Sequence, residues 1–315
     1  MSFFAVSKNR NQHFVPKHYL RRFSFDDGKR IRLLNLNSGK YVDEAPLKNQ
    51  CSADHFYTEN LAAEQMLTEI EGVAEDMFRK ICDTEVVPEY LGGEHQDLMS
   101  VLSLMHFRTR RQAEGHSDLI ELIAKRHLRM SDDPRAKEAV PFLNEVRIQD
   151  RSAAVRLALK ALETAQIIFD LRLRLIIAPE GMSFITSDHP VVLLNQAFFT
   201  VLQHPRILGL AASGLQIFLP ISPRFLLIAF DPKIYRVGNR KQSTYQLERR
   251  NDCDLINALQ IVNAEENVYF YDQDLLSGIR VLLTKLFSSR EQAVASGRPL
   301  ELPIPDKPGG VFFRR

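Results

Sequence analysis

The chain has 315 residues, 45% hydrophobic and 25% charged, an ordinary globular composition with enough apolar material for a substantial core. A formal net charge of +2 is too small to argue for a nucleic-acid partner by itself. The three cysteines, Cys51, Cys82 and Cys253, are too scattered for a disulfide framework or a zinc knuckle, and are read as buried free thiols in a reducing cytosol.

No stretch reaches the roughly 18 apolar residues that a membrane span needs. The longest, Gln216 to Phe230, is broken by Pro220 and Pro223. The opening, Met1 to Lys8, has no basic segment, and its apolar run is too short for a secretory leader. The expectation is a soluble, cytoplasmic protein without a membrane partner.

Residues 1–10 are predicted to be a flexible lead. Pro16 suits the first turn of a helix because it has no N–H to leave unsatisfied. Tyr19, Leu20 and Phe23 follow at helical spacing, so residues 16–23 are predicted to form a short helix with one apolar face. Arg30 to Asn35 and Lys40 to Asp43 flank the turn residues Asn37, Ser38 and Gly39 and predict a β-hairpin. Residues 44–60 are irregular.

A helix is predicted over Leu61 to Cys82, with Met66, Leu67, Ile70, Val73, Ala74, Met77, Phe78 and Ile81 recurring at three and four. A second covers 94–112, and a third covers 117–130 with a basic C-terminal end that suits the helix dipole. Residues 131–149 are weakly periodic and leave room for a short helix. A long helix follows over 150–171. Short β-rich runs then come at Arg172 to Ala178, Ser183 to Thr186, Val191 to Leu194, Leu215 to Leu219 and Phe225 to Phe230. Tyr245 to Ala264 reads as a helix, Asn267 to Tyr271 as a strand, and Asp274 to Phe287 as a helix.

This order predicts an α+β fold: an N-terminal short helix and β-hairpin, a central helical block, then a mainly antiparallel sheet with a late packed helix. One domain is expected over 11–290, with the helical block at about 61–171 and the sheet-rich part at about 172–272. Residues 291–315 are expected to be an extended Pro/Gly-rich tail. No Gly-rich loop joins a strand to a helix, so neither a Rossmann nor a P-loop fingerprint is present.

Four places concentrate side chains of catalytic type. The first is Gln12-His13, with His18 nearby. His13 is placed either as a general base, metal ligand or phosphate contact, or as a residue that fixes the start of the short helix through backbone hydrogen bonds. The second is His106 to Arg111. Arg108 and Arg111 lie three apart on one helix face, and their fork-shaped guanidinium groups suit phosphate or carboxylate; the alternative is a solvated basic helix end. The third is Thr186-Ser187-Asp188-His189-Pro190, at a strand end where sites are commonly carried. Ser187 and Asp188 alternatively close a turn. The fourth is Glu64, Glu69 and Glu71, with Asn257 and Asn263 inside a later apolar helix. Their bland alternative is a solvated acidic face and a buried, hydrogen-bonded amide.

The run Gln12-His13-Phe14-Val15-Pro16, continuing through Tyr19, Leu20 and Phe23, resembles the N-terminal signature of the domain-of-unknown-function 4238 family. The resemblance extends through Cys51-Ser52 with Phe56-Tyr57, Arg108 and Arg111, and Phe184 to Val191. It then takes in Leu219 to Pro223 and the Asn257-containing helix, about residues 10–272 in all. His189 stands where the family usually has Asn. The resemblance implies one unit and marks His13 and Asp188, but implies no reaction.

Two functions follow from these residues. In the first, the protein is an enzyme of hydrolase or nuclease type, or a defence effector, acting on a phosphate-bearing substrate such as nucleic acid. His13 and Asp188 are then the catalytic candidates, and Gln12, His106, Arg108, Arg111, Ser187 and Asn257 bind substrate. A divalent metal would be an addition that no spacing requires, and no residue is assigned as a ligand. In the second, the protein is a non-catalytic binding or regulatory module whose buried polar motifs are structural. Spatial convergence of His13, Arg108 or Arg111, and Asp188 is the discriminating observation.

Overall fold

A computed structural model describes residues 11–57, 61–148, 150, 152–196, 209–239 and 242–296. The predicted lead and most of the predicted tail lie outside the described residues, as does the side chain of Glu64. The chain is α+β. Strand β1 (Asn11–His13) pairs with β4 (Ser52–Asp54) in an antiparallel ribbon. Helix α1 (Lys17–Arg21) follows Pro16. The hairpin of β2 (Arg30–Asn35) and β3 (Tyr41–Pro46) forms where it is predicted.

The helical block holds α2 (Leu61–Thr84), α3 (Gly93–Phe107), α4 (Arg110–Met130), α5 (Pro134–Ala139) and α6 (Ala153–Thr164). Helix α3 is its centre, with Leu98, Met99, Val101, Leu102, Leu104 and Met105 all buried. Helix α6 approaches it through Ala153, Ala154, Ala158 and Ala161, whose small side chains let the two backbones come close.

The later strands are β5 (Arg172–Ile177), β6 (Thr186–Ser187), β7 (Val192–Leu194), β8 (Gln216–Pro220), β9 (Phe225–Phe230), β10 (Thr244–Gln246) and β11 (Asn267–Phe270). Five of them form a sheet in the order β10-β5-β9-β8-β7, antiparallel except for the β10–β5 pair. The N-terminal hairpin is completed by later strands in a second sheet, β3-β2-β11-β6.

Alternation along β5, β8 and β9 gives the five-stranded sheet two apolar faces. Leu173, Leu175, Leu219, Leu227 and Ala229 face a core shared with α1, α2 and α3. Ile176, Phe218, Leu226 and Ile228 face helix α7 (Arg250–Asn263) through Cys253, Ile256 and Leu259. Helix α7 turns its other side, Ala258 and Ile261, toward Leu34, Val268 and Phe270 of the four-stranded sheet, where α8 (Leu275–Ser296) also packs. One helix thus lies between two sheets.

The short helix is confined to Lys17–Arg21, the stretch 44–60 read as irregular holds the end of β3 and all of β4, and the helix expected over 150–171 is α6 followed by a 3-10 turn at Ala165–Ile168. Four further boundaries differ, each for a local reason. The predicted helix over 94–112 stops at Phe107, and α4 starts at Arg110 rather than near 117. Thr109 between them takes an extended ψ of 160° while Arg108 turns inward. The strand expected at Ser183 to Thr186 is shifted to Thr186–Ser187, because Ile185 N–H bonds a side-chain oxygen of Asn257 instead of a neighbouring strand. Tyr245 and Gln246, predicted to be helical, pair with β5 as part of β10, and α7 starts only at Arg250. Helix α8 continues to Ser296, into the segment read as extended tail. Among the described residues no helix is long and apolar enough to cross a membrane.

Candidate functional site

The sequence motifs meet at the corner Arg108-Thr109-Arg110-Arg111 between α3 and α4. Arg108 is 2% exposed. Its Nη2 donates to Glu71 Oε1 at 2.6 Å and to the His13 carbonyl at 2.9 Å, and its Nε donates to Tyr57 Oη at 2.9 Å. Tyr57 Oη donates back to the Arg108 carbonyl at 3.2 Å. Burial works against the guanidinium charge, but Tyr57 and Glu71 outweigh it and its pKa is raised. Such a buried, multiply bonded arginine ties α2, β1 and the corner together.

The remaining corner residues reach the later half of the chain. Thr109 Oγ1 lies 2.7 Å from His189 Nδ1. The Arg110 guanidinium sits 5.2 Å above the Phe14 ring and 3.4 Å from Glu266 Oε1. Arg111 Nη1 donates to the Asn263 carbonyl at 2.6 Å. Asn263 Nδ2 in turn donates to the His189 and Val191 carbonyls. His106 is buried, with its ring centroid 5.3 Å from that of His189. Burial pushes the His106 imidazole down to about 4 and the His189 imidazole well below its usual range, so both are neutral at pH 7.

Asp188 is buried beside this corner. One carboxylate oxygen accepts from Glu265 N at 2.8 Å, and the other accepts from Glu266 N and Asn267 N, both at 2.8 Å. Burial pushes its pKa up, and the three N–H donors oppose that shift. Ser187 Oγ lies 3.0 Å from Gln260 Oε1 and accepts from His189 N. Asn257 accepts from Ile185 N and donates to the Ser183 carbonyl, both at 3.0 Å. Gln12 Oε1 accepts from Tyr57 N at 2.6 Å.

The opening stretch is joined to the Ser-Asp turn by Tyr19. Its hydroxyl lies 2.6 Å from Thr186 Oγ1 and donates to the Pro220 carbonyl at 2.7 Å, so the opening helix, β6 and the end of β8 meet at one buried oxygen. His13 differs from its neighbours. Its ring is half-buried, its Nε2 has no hydrogen-bond partner among the described residues, and burial and then the Lys17 charge lower its pKa.

The structure ties His13 directly, and Gln12 through Tyr57, to Arg108, and ties Thr109 and Arg111 to His189, the neighbour of Asp188, Arg111 by way of Asn263. It does so largely through bonds that occupy their polar atoms. In the sequence Tyr19 and Tyr57 stand out only through the short helix and the resemblance, Arg110 only within the run His106 to Arg111, and Glu114, Glu265 and Glu266 not at all. Burial, then the Glu114 carboxylate, pushes the half-buried Glu265 up to about 7. The signal for Glu265-Glu266 was available: two acids directly after an apolar helix, opposite an arginine-rich corner. Among the described residues no group of three or more His, Cys, Asp or Glu can hold a metal ion. The cysteines are free, and burial pushes the Cys51 thiol well above its usual range.

No curated protein and no solved structure matches this chain. A family model described as "Protein of unknown function (DUF4238)" matches residues 11–274, a span that contains every motif of the corner, and the chain belongs to that family.

Proposed function

We propose that the protein is a non-catalytic binding or regulatory module in which the family motifs are scaffold. The observation that supports this reading is the engagement of Asp188. A carboxylate that works as a base or metal ligand needs an oxygen facing substrate, whereas both Asp188 oxygens accept backbone N–H groups from the turn before β11. Arg108 is likewise engaged, through Nε and Nη2, by a phenol, a carbonyl and a carboxylate from within the chain.

The test is a turnover assay of the purified full chain on DNA, RNA and small phosphate esters, with and without magnesium, for wild type, His13→Ala and Asp188→Ala. The module reading expects no turnover by the wild type and a lowered melting temperature for Asp188→Ala. Turnover that vanishes in a well-folded His13→Ala variant overturns it.

One observation favours a second reading, hydrolysis of a phosphate-bearing substrate such as nucleic acid at this corner. His13 carries an unpartnered Nε2 and a lowered pKa, which is the neutral form a general base requires at pH 7. In that reading His13 takes a proton from water, and Asp188 acts by fixing the turn that carries Glu265 and Glu266.

A further inference from the structure

Arg172 and Arg174 lie two apart on β5, so both side chains leave the same face of the sheet. Along this stretch β5 pairs with β9 on one side, while on the other side β10 pairs only from Leu175 onward. The arginines therefore stand where the sheet opens. Two cavities flank them. One, of about 290 Å³, is lined by both arginines with Tyr235 and Arg236. The other, of about 370 Å³, shares both arginines and adds Glu89, Tyr90, His95 and Gln242.

Arg174 is only 8% exposed, and the Nε atoms of both Arg172 and Arg174 are buried without an acceptor. Arg174 Nη1 donates to the Leu173 carbonyl at 3.0 Å, and the Arg172 guanidinium stacks 4.8 Å above the Tyr90 ring. Among the described residues no carboxylate forms an ion pair with Arg172, Arg174 or Arg236. Glu89 lines the second cavity without pairing to them. Buried charges are ordinarily paired, and two like charges side by side cost more still. Burial and then the Arg172 charge lower the pKa of Arg174. Arg108, by contrast, is surrounded by acceptors from within the chain.

His95 is fully buried beside the second cavity. Its Nε2 lies 3.0 Å from the Leu171 carbonyl, which accepts only, so Nε2 carries the proton. Nδ1 is then an acceptor, and it is buried without a donor. A ligand in this cavity is completed by an anion for the arginines.

We infer that the adjoining cavities form a binding site for a small phosphate ester. Its phosphate bridges Arg172 and Arg174, and its body lies against Tyr90. A planar fork is suited to phosphate oxygens, and the second cavity falls in the size range of small-molecule sites. This deepens the binding-module reading by naming a ligand class, and rests on it for the absence of turnover.

The experiment titrates the full chain with β-glycerophosphate, methyl phosphate and inorganic phosphate at constant ionic strength. It follows phosphorus line width and the arginine Nε–H resonances of the wild type, then repeats the titration with Arg174→Gln and Arg172→Gln. The expected result is saturable binding, shifts confined to the Arg172 and Arg174 resonances, and at least about tenfold weaker binding in each variant, about 1.4 kcal/mol. β-Glycerophosphate and methyl phosphate should bind more tightly than inorganic phosphate.

Absence of binding at millimolar concentration, or binding that leaves the two arginine resonances unmoved, overturns the site whether or not the variants fold. Equal affinity for ester and inorganic phosphate overturns the placement of the ester body. Loss of the site leaves the module reading intact. Turnover dependent on His13, with phosphate binding retained, removes the module reading and keeps the site.

Discussion

Replacing Asp188 by alanine is expected to be among the most destabilising single changes in this chain. The carboxylate is 4% exposed and accepts three backbone N–H groups, each at 2.8 Å. Hydrogen bonds to a charged group contribute roughly 1.5–3 kcal/mol each, but bonds sharing one acceptor group do not add fully. Removing one side of such a buried charged arrangement costs about 3–5 kcal/mol, a large share of a typical total of about 5–15 kcal/mol.

Asp188→Asn makes the argument sharper. The amide oxygen can take the place that accepts from Glu266 and Asn267, but the NH2 then faces the Glu265 N–H, donor against donor. That leaves one buried donor unsatisfied, at about 1–3 kcal/mol. The expected order is wild type, then Asn, then Ala. It is read as falling urea midpoints with an unchanged m-value. A midpoint for Asp188→Ala corresponding to within about 0.5 kcal/mol of wild type would refute the reasoning, because that is the range of an ordinary surface change.

Three other outcomes follow from the same geometry. Tyr19→Phe removes the hydroxyl shared by Thr186 and Pro220 and should cost about 1–3 kcal/mol in urea, with the Pro220 carbonyl left unpaired; a neutral result would mean that water replaces it. Glu265 should titrate near 7 by carboxyl-carbon NMR, and Glu114→Gln should move it down toward the usual 4.5. Because the folded value is the higher one, the stability linked to Glu265 is fully present below 4.5 and lost as pH rises through about 7. His18 and His106 act in the opposite sense. Each folds from an ordinary 6.5 down to about 4, so the unfolded chain binds more protons in that window. Stability should therefore fall as pH drops from about 6.5 toward 4, by at most about 1.4 kcal/mol per pH unit for each histidine. Urea midpoints for His18→Gln across that range should show a shallower slope than wild type; an unchanged slope would rule His18 out as a contributor.

Local pattern carried much of the architecture. Recurrence at three and four placed α2, with Ala74, Phe78 and Ile81 buried as the period requires. The turn residues at Asn37 to Gly39 placed the β2–β3 hairpin. Pro16 and the aromatics after it placed α1 and anchored Tyr19 and Phe23 in the core. These are statements about neighbours in sequence, whose interactions need no partner from elsewhere.

What depended on distant partners was decided only in three dimensions. Residues 244–246 are a strand because β5 is there to pair with them. The break at Thr109 exists because Arg108 is drawn to Glu71 and Tyr57, and Thr109 to His189. The same applies to the candidate site. The sequence singled out Gln12, His13, Arg108 and Asp188 as polar groups in apolar motifs, but left open whether Arg108 belongs to a solvated helix end. It could not determine what would satisfy them, because a buried carboxylate bonded to backbone and one facing a substrate have the same local pattern. Only the tertiary structure separates Arg108 and Asp188, whose polar atoms are met within the chain, from Arg172 and Arg174, whose buried Nε atoms are not.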